Sequence, residues 1–198
     1  MIAVQVNTAG FVRAMKRLTS AVARPRAVMA AAGRAGANEL KRHYREKDKT
    51  EPNKLGGKRT HFWLAVSRAV QAPITSDTES RISINHPAIA QKVRGGPIVP
   101  KRAKALTIPV APEAYGRRAS TFEAETGLKL FVFKKDNCAF LAAADGKGVR
   151  VYYVLSQGVN QLPDPTAMPE PRRFQSVILR AAASAMRRQL QNPGGATT

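Results

Sequence analysis

The spacing of hydrophobic residues changes along this chain and divides it into helical and extended regions. Up to about residue 70, apolar side chains recur mainly at the period of one helix face. From residue 81 they alternate with polar residues in short runs, which is typical of strands. Residues 172–190 return to the helical period. This order predicts an α+β fold with a mainly antiparallel sheet, flanked by N-terminal helices and one C-terminal amphipathic helix.

The N-terminal part is predicted to contain a short strand and three helices. Residues 2–6 alternate as a strand, and a first helix follows it. Pro25 suits the first turn of a second helix, which is Ala-rich and extends to about Arg45. Thr60 can cap a short third helix.

The extended region is predicted to form a meander of strands. Leu106, Ile108 and Val110 share one face of a strand, and Pro109 places that strand at a sheet edge or strand end. Residues 134–137 have the composition of a hairpin turn between two apolar runs. The predicted strands are residues 81–84, 106–110, 128–133, 138–143 and 149–155.

Three segments interrupt these elements and are predicted as extensions of a single domain over residues 1–191. Residues 45–60 are charged and contain proline and a Gly-Gly pair. Residues 91–104 contain a second Gly-Gly pair, and residues 162–171, called the arm below, contain four prolines. Residues 192–198 are small and polar, and we expect a flexible tail there.

Basic residues far outnumber acidic ones in this chain. There are 33 Lys and Arg against 13 Asp and Glu, which gives a formal net charge of +20. Such an imbalance points to anionic partners, namely nucleic acid, an anionic membrane or acidic protein surfaces. No helix-turn-helix, zinc-finger or RNA-binding aromatic motif is visible, so sequence-specific recognition is not predicted. No apolar run approaches the roughly 20 residues of a membrane-spanning helix, so no membrane partner is predicted.

The sequence offers little material for catalysis or metal binding. Cys138 is the only cysteine, and because it lies in an apolar run we expect it to be buried and inert. His43, His61 and His86 lie far apart and lack the spacing of metal ligands. His86 precedes a proline and is expected to support a turn. With no paired carboxylates or activated nucleophile in view, we predict no enzymatic activity, no metal and no cofactor.

A basic Gly-Gly-Pro segment is the most distinctive local feature. Gly95-Gly96-Pro97-Ile98 lacks the Gly-Lys-Ser/Thr ending and the following helix of a phosphate-binding loop. Its glycines permit positive φ in a tight turn, and we expect that turn to protrude and to touch a neighbouring subunit. Lys101, Arg102 and Lys104 follow in a stretch without acidic residues.

Several segments within residues 53–160 resemble one group of phage proteins. They are Asn53–Trp63, His86–Gln91, Gly95–Ile98, Lys104–Val110 and Tyr152–Leu155, followed by the arm. Together they are similar to the virion-morphogenesis proteins of tailed bacteriophages, the neck and tail-completion group at the head–tail junction. The resemblance implies a structural, non-enzymatic subunit that joins or finishes the tail in a ring of repeated copies.

The resemblance also implies partners and a location. The partners are further copies of this chain in a ring and the portal or connector and tail proteins. The excess of Lys and Arg adds packaged DNA, contacted without sequence specificity, as a candidate partner. The location is the neck or tail of the virion, after synthesis in the cytoplasm of the host bacterium. Candidate subunit contacts are Gly95, Gly96, Pro97, Ile98, Pro163, Pro165 and Pro169, and candidate DNA contacts in the channel are Lys101, Arg102 and Lys104.

Two other classes of function remain open from the residues alone. The net charge also fits a nucleic-acid-binding protein that does not read sequence. A hydrolase is the third class, and it would require an acid pair, a metal cluster or an activated nucleophile.

Overall fold

The structure is a computed structural model that describes residues 25–53, 55–144, 146 and 148–191. Its helices and antiparallel sheets confirm the predicted α+β fold class. The strand and first helix expected before residue 25, and the tail over residues 192–198, lie outside the described residues.

Helices lie at both ends of the described chain, and strands dominate its middle. The helices are α1 (Pro25–Thr50), α2 (Phe62–Arg68), α3 (Ile89–Arg94), α4 (Ala119–Thr126) and α5 (Pro171–Gln191), with a 3-10 turn over Pro112–Ala114. The strands are β1 (Ile74–Thr75), β2 (Ser80–Arg81), β3 (Gly96–Ile98), β4 (Leu106–Pro109), β5 (Phe131–Lys135), β6 (Cys138–Ala144), β7 (Val149–Ser156) and β8 (Val159–Gln161).

The chain forms two compact units, and neither is one continuous stretch. Among the described residues, the first unit takes residues 25–44, 66–85 and 168–191. The second takes residues 45–65, apart from residue 54, and the described part of residues 86–167. Because α1 contributes to both units, the described residues do not separate into two stretches along the sequence. The prediction of a single domain over that range stays a prediction.

In the first unit the buried face of α1 forms much of the core. Val28, Ala32, Leu40 and Tyr44 lie on that face at helical spacing and are buried. Small residues between them allow close approach, since a Cβ added at Gly36 would lie 3.4 Å from Cζ of Phe174 on α5. α5 therefore packs closely on α1 through the apolar side chains of Phe174 and Ile178.

Two polar groups of α1 are also buried in the first unit. Glu39 is 5% exposed, pairs with Arg42 one turn later and lies 3.3 Å from Nε of Arg173 on α5. The Tyr44 hydroxyl donates to Sδ of Met168 at 3.4 Å, and burial raises the pKa of Tyr44 to about 12. These contacts fix the start of α5 against α1.

The second unit contains a four-stranded antiparallel sheet in the order β4-β7-β6-β5. β4 is an edge strand that ends at Pro109, which confirms the position expected for this proline. β5 and β6 are joined by Asp136 and Asn137 with φ of 48° and 60°. Positive φ at both residues is typical of the two-residue hairpin turn whose twist matches that of the flanking strands. The predicted hairpin is therefore confirmed.

An aromatic cluster forms the core against this sheet. Phe122 of α4 is 1% exposed, and its ring lies 4.8 Å from that of Tyr152 and 6.0 Å from that of Tyr153. The Tyr153 hydroxyl donates to the carbonyl of Ala114 at 3.4 Å, so its polar end is satisfied. A separate two-stranded sheet pairs β3 with β8.

Some expectations about these elements were wrong. α1 continues past Arg45 to Thr50, so the expected loop over residues 45–60 begins later. Most residues between Arg45 and Thr50 are charged and are good helix formers, and the helix-breaking Pro52 lies two residues beyond the end of the helix. Residues 91–104 are not one loop, since they contain the end of α3 and all of β3.

Cys138 differs from its expected environment. It is the first residue of β6, directly after the β5–β6 hairpin turn at the end of the sheet, and it is exposed there. In the described chain, no helix is both long and apolar enough to cross a membrane.

We predict that Gly33→Ala lowers stability although alanine favours helices. An added Cβ at Gly33 would lie 1.9 Å from Ser80 Oγ and 3.0 Å from Pro73 Cβ, so the β1–β2 hairpin would have to move. We expect a loss of about 1–3 kcal/mol in the free energy of unfolding, measured with urea.

Gly36→Ala is the matched control for this prediction. Its added Cβ would meet the flexible end of Ile82, with Cδ1 at 2.9 Å, so we expect a neutral or stabilising change. Ser80→Gly should recover part of the loss in Gly33→Ala. Equal stability of the Gly33→Ala and Gly36→Ala proteins would contradict the packing described here.

Candidate functional site

A buried lysine near the C-terminal end of α1 organises the second unit. Lys47 is 6% exposed and its ammonium pairs with Glu51. It also lies 3.3 Å from Oδ2 of Asp164 and donates to the hydroxyl of Thr166. A buried cation is stable only where anions and acceptors replace its hydration. The cluster therefore fixes this part of the arm against the end of α1.

Trp63 of α2 completes the cluster. The ammonium of Lys47 lies 4.6 Å from the centroid of the Trp63 ring, which is within the range of a cation–π interaction. Nε1 of Trp63 donates to Oε2 of Glu51 at 2.6 Å. The Glu51 carboxylate thus contacts both Lys47 and Trp63. It links the start of α2 to the residue that follows α1.

Asp48 supports the segment that leads into α2. Its Oδ1 accepts the N–H of Leu64 at 3.1 Å, and its Oδ2 lies 2.9 Å from Nδ1 of His61. Burial on its own would raise the pKa of Asp48, but the hydrogen bonds from His61 and Leu64 outweigh it and the pKa is lowered. The carboxylate that supports the first turn of α2 is therefore Asp48, whereas the sequence suggested the hydroxyl of Thr60.

Four of the residues above, Asp48, Glu51, His61 and Trp63, border a cavity of about 510 Å³ within the second unit. Both carboxylates in its wall have partners inside the protein, since Asp48 bonds His61 and Glu51 bonds Lys47 and Trp63. The rings in the wall belong to Phe62, Trp63, His61, His86 and Tyr115, and the cations are Arg59 and Lys92.

His86 has the turn-supporting role that the sequence predicted. Its Nδ1 accepts the N–H of Ala88 at 3.3 Å, so the neutral ring carries its proton on Nε2. The ring lies 5.0 Å from that of Phe62, edge to face. Across the described residues, no group of three His, Cys, Asp or Glu side chains is arranged to hold a metal ion.

The structure brings several of the candidate subunit contacts together. Gly96, Pro97 and Ile98 form β3, which pairs antiparallel with β8 just before the arm. A side chain at Gly95, whose φ is +67°, would lie 2.6 Å from the carbonyl oxygen of Gln161. The Gly-Gly-Pro segment is therefore a paired strand packed against the start of the arm, rather than the protruding turn that the sequence suggested.

The candidate contacts in the arm lie in different surroundings. Pro163 and Pro165 are exposed and belong to the second unit. Pro169 is buried within the first unit. The candidate DNA contacts Lys101, Arg102 and Lys104 are exposed in the loop between β3 and β4.

The cluster around Lys47 was missed by sequence reasoning. Lys47 and Glu51 lie four residues apart at the end of a helix, which is a common spacing for exposed ion pairs. The buried character of this pair depends on Asp164, and no local pattern relates that residue to α1.

Comparisons with protein families, with curated proteins and with solved structures found no match to this chain. The resemblance to phage proteins therefore rests on the sequence segments alone.

We predict that Lys47→Met destabilises the protein by about 1–3 kcal/mol, because Glu51 and Asp164, which are both partly exposed, lose their shared cation. Urea unfolding gives the value. Lys49→Met removes an exposed cation from the same helix, and we expect a change within about 0.5 kcal/mol.

A double-mutant cycle tests whether the cost comes from this cluster. Because Asp164→Asn removes one of the anions, the two changes together should cost less than the sum of their separate effects. Strict additivity would show that Lys47 and Asp164 do not interact.

We predict that Asp48 contributes to stability above its ordinary pKa and not in strong acid. A carboxyl with a lowered pKa stabilises the fold while ionised, and the contribution is lost as the pH falls through the lowered value. Asp48→Asn should cost about 1 kcal/mol at pH 7, a cost that shrinks below pH 3.8, the usual pKa of the group. Unfolding at several pH values measures this difference, and a cost that does not vary with pH would contradict it.

Proposed function

We propose that this protein is a structural, non-enzymatic subunit of the head–tail junction of a tailed bacteriophage, assembled as a ring that joins or finishes the tail. The observation that supports it best is an uncovered apolar strand edge in the second unit. The resemblance of residues 53–160 to virion-morphogenesis proteins supports this location. Its partners are then further copies of the chain and the neighbouring portal and tail proteins.

β5 forms the uncovered edge. Within the described chain it pairs only with β6, so its other side presents unpaired backbone groups. Phe131 and Val132 are 43% and 57% exposed. Adjacent strand residues point to opposite faces of a sheet, so neither face is fully covered at this position. Lys134 and Lys135 place charge on the last part of the strand only.

Such an edge favours addition of a strand from another protein chain. Main-chain hydrogen bonds supply affinity in this mode of binding, and alternate side chains supply specificity. Monomeric proteins usually protect their edges with charge, proline or a covering segment. An apolar edge that lacks this protection along Phe131–Phe133 is expected of a subunit that assembles.

The β3–β8 sheet supports the same conclusion for the candidate contacts. A two-stranded sheet is marginally stable alone, and this one bears exposed apolar residues next to its strands, Val99 at 60% and Leu162 at 79%. Gly95–Ile98 and Pro163 lie beside these residues. We therefore propose this sheet and the start of the arm as a second contact with a neighbouring subunit.

The charge alone would also fit a free nucleic-acid-binding protein. That alternative gives no role to the apolar edge, because phosphate contacts are made by exposed cations. The assembly proposal accounts for both features.

We predict that Val132→Lys prevents incorporation of the protein into particles without unfolding it. Lysine on an edge strand opposes pairing with a second chain. The variant is introduced into the phage genome, and the copy number per particle is measured by quantitative mass spectrometry. We expect a loss of at least about tenfold, corresponding to about 1.4 kcal/mol or more of binding free energy.

Thr121→Lys is the control, since it adds the same charge at an exposed position of α4. Both purified variants should unfold at the temperature of the unmodified protein. If Val132→Lys enters particles at normal copy number and they infect normally, β5 is not an assembly contact.

A further inference from the structure

The sheet of the second unit gathers basic side chains at one of its ends. Leu106, the first residue of β4, pairs with Ser156 at the end of β7. At the same end, Lys135 of β5 pairs with Cys138, the first residue of β6. The loop before β4 and the β5–β6 turn therefore emerge at the same end of the sheet.

Five cations occupy this place in the fold. The loop between β3 and β4 carries three of them, and the end of β5 carries two. They are Lys101, Arg102, Lys104, Lys134 and Lys135, and together they are called the basic end. All five are exposed, and within the described chain none forms a salt bridge. The acidic residue in these two connections is Asp136, so a net positive charge remains.

The loop that carries three of these cations is held at both ends. Ile98 pairs with Val159, and Leu106 pairs with Ser156. The Ser156 hydroxyl donates to the carbonyl of Gly158 at 2.7 Å, which fixes the connection between β7 and β8. Anchors three residues apart along the chain hold the ends of the loop close together, and the three exposed cations lie between them.

The spacing of the basic end matches an extended polyanion. β4 and β5 are separated by three strand intervals of about 4.8 Å, or about 14 Å in total. Duplex DNA carries one negative charge for about every 1.7 Å of its axis. A duplex crossing this end could therefore present several phosphates to the five cations at once.

We propose that the basic end is a contact site for the sugar–phosphate backbone of duplex DNA, bound without regard to sequence. Its composition favours DNA over an acidic protein surface. Four of the five residues are lysine, which is depleted in protein–protein interfaces and binds phosphate well as a point charge. In the proposed ring the duplex would be the packaged genome, and that identification of the source rests on the proposed function.

The basic end extends beyond the loop that the sequence indicated. Lys134 and Lys135 lie far from Lys101 in sequence, and the strand register places them at the same end. Cys138 pairs with Lys135 and is exposed, so a label on this only cysteine reports on the basic end alone.

The test measures binding of the purified full-length protein to a fluorescent duplex of about 20 base pairs by anisotropy, between about 50 and 200 mM salt. Each phosphate contact contributes about 0.9 to the slope of log affinity against log salt. Replacing Lys134 and Lys135 with Gln should reduce the slope by about 2, and replacing all five residues should reduce it by about 4 to 5. Duplexes of unrelated sequence should give the same values.

Two controls make the result specific to this site. Arg187→Gln with Arg188→Gln removes the same charge from exposed positions of α5, and the slope should change by less than about 1. A photocrosslinker attached to Cys138 should capture the duplex when the five basic residues are present. In the five-residue variant the same label should no longer capture it. Circular dichroism and thermal unfolding establish that each variant is folded.

An unchanged slope in the Lys134→Gln/Lys135→Gln protein, or no capture from Cys138, would overturn the proposal. The proposal would also be overturned if the five-residue variant lost binding to polyglutamate but kept binding to DNA. The basic end would then be a site for acidic protein. The measurement uses no particles, so its failure leaves the proposed ring untouched, and particle assembly can fail without affecting it.

Discussion

The shortage of acidic side chains is the constraint on which the rest of this structure depends. Thirteen carboxylates are available for thirty-three cations, so few cations can be paired. Several of the acids hold segments together from positions inside the fold. Glu39 joins α1 to Arg173 on α5, and Glu51 and Asp164 surround the buried Lys47. Asp48 supports the start of α2. Acids used in this way stabilise the two units and leave other parts of the surface basic.

The remaining cations and the uncovered apolar groups occupy different parts of the second unit. The basic end lies where β4 begins and β5 ends, and Phe131 and Val132 lie at the opposite end of β5. Lys134 and Lys135 can therefore contact phosphate while the first part of the strand pairs with a neighbouring chain. A subunit of a ring around DNA needs both surfaces at once. Their separation on one sheet is the structural basis of the proposed function.

Local patterns predicted the parts of the fold that depend on neighbouring residues. The Asp136-Asn137 turn followed from its composition, and the edge position of β4 followed from Pro109. Distant contacts were not predictable in this way. The pairing of β3 with β8 involves segments too short to show alternation, and the burial of Lys47 depends on residues over a hundred positions away. The exposure of Cys138 likewise depends on its position beside the hairpin turn rather than on its apolar neighbours in sequence. The candidate DNA contacts were found as a charged run, but their extension to β5 required the strand register.

Electron microscopy of phage particles made without this protein tests the central claim most directly. If the protein is a head–tail junction subunit, the lysate contains DNA-filled heads and separate tails, or tails with abnormal ends. Supplying the protein from a plasmid restores joined particles. Intact particles of normal appearance and infectivity, formed without the protein, would contradict the account.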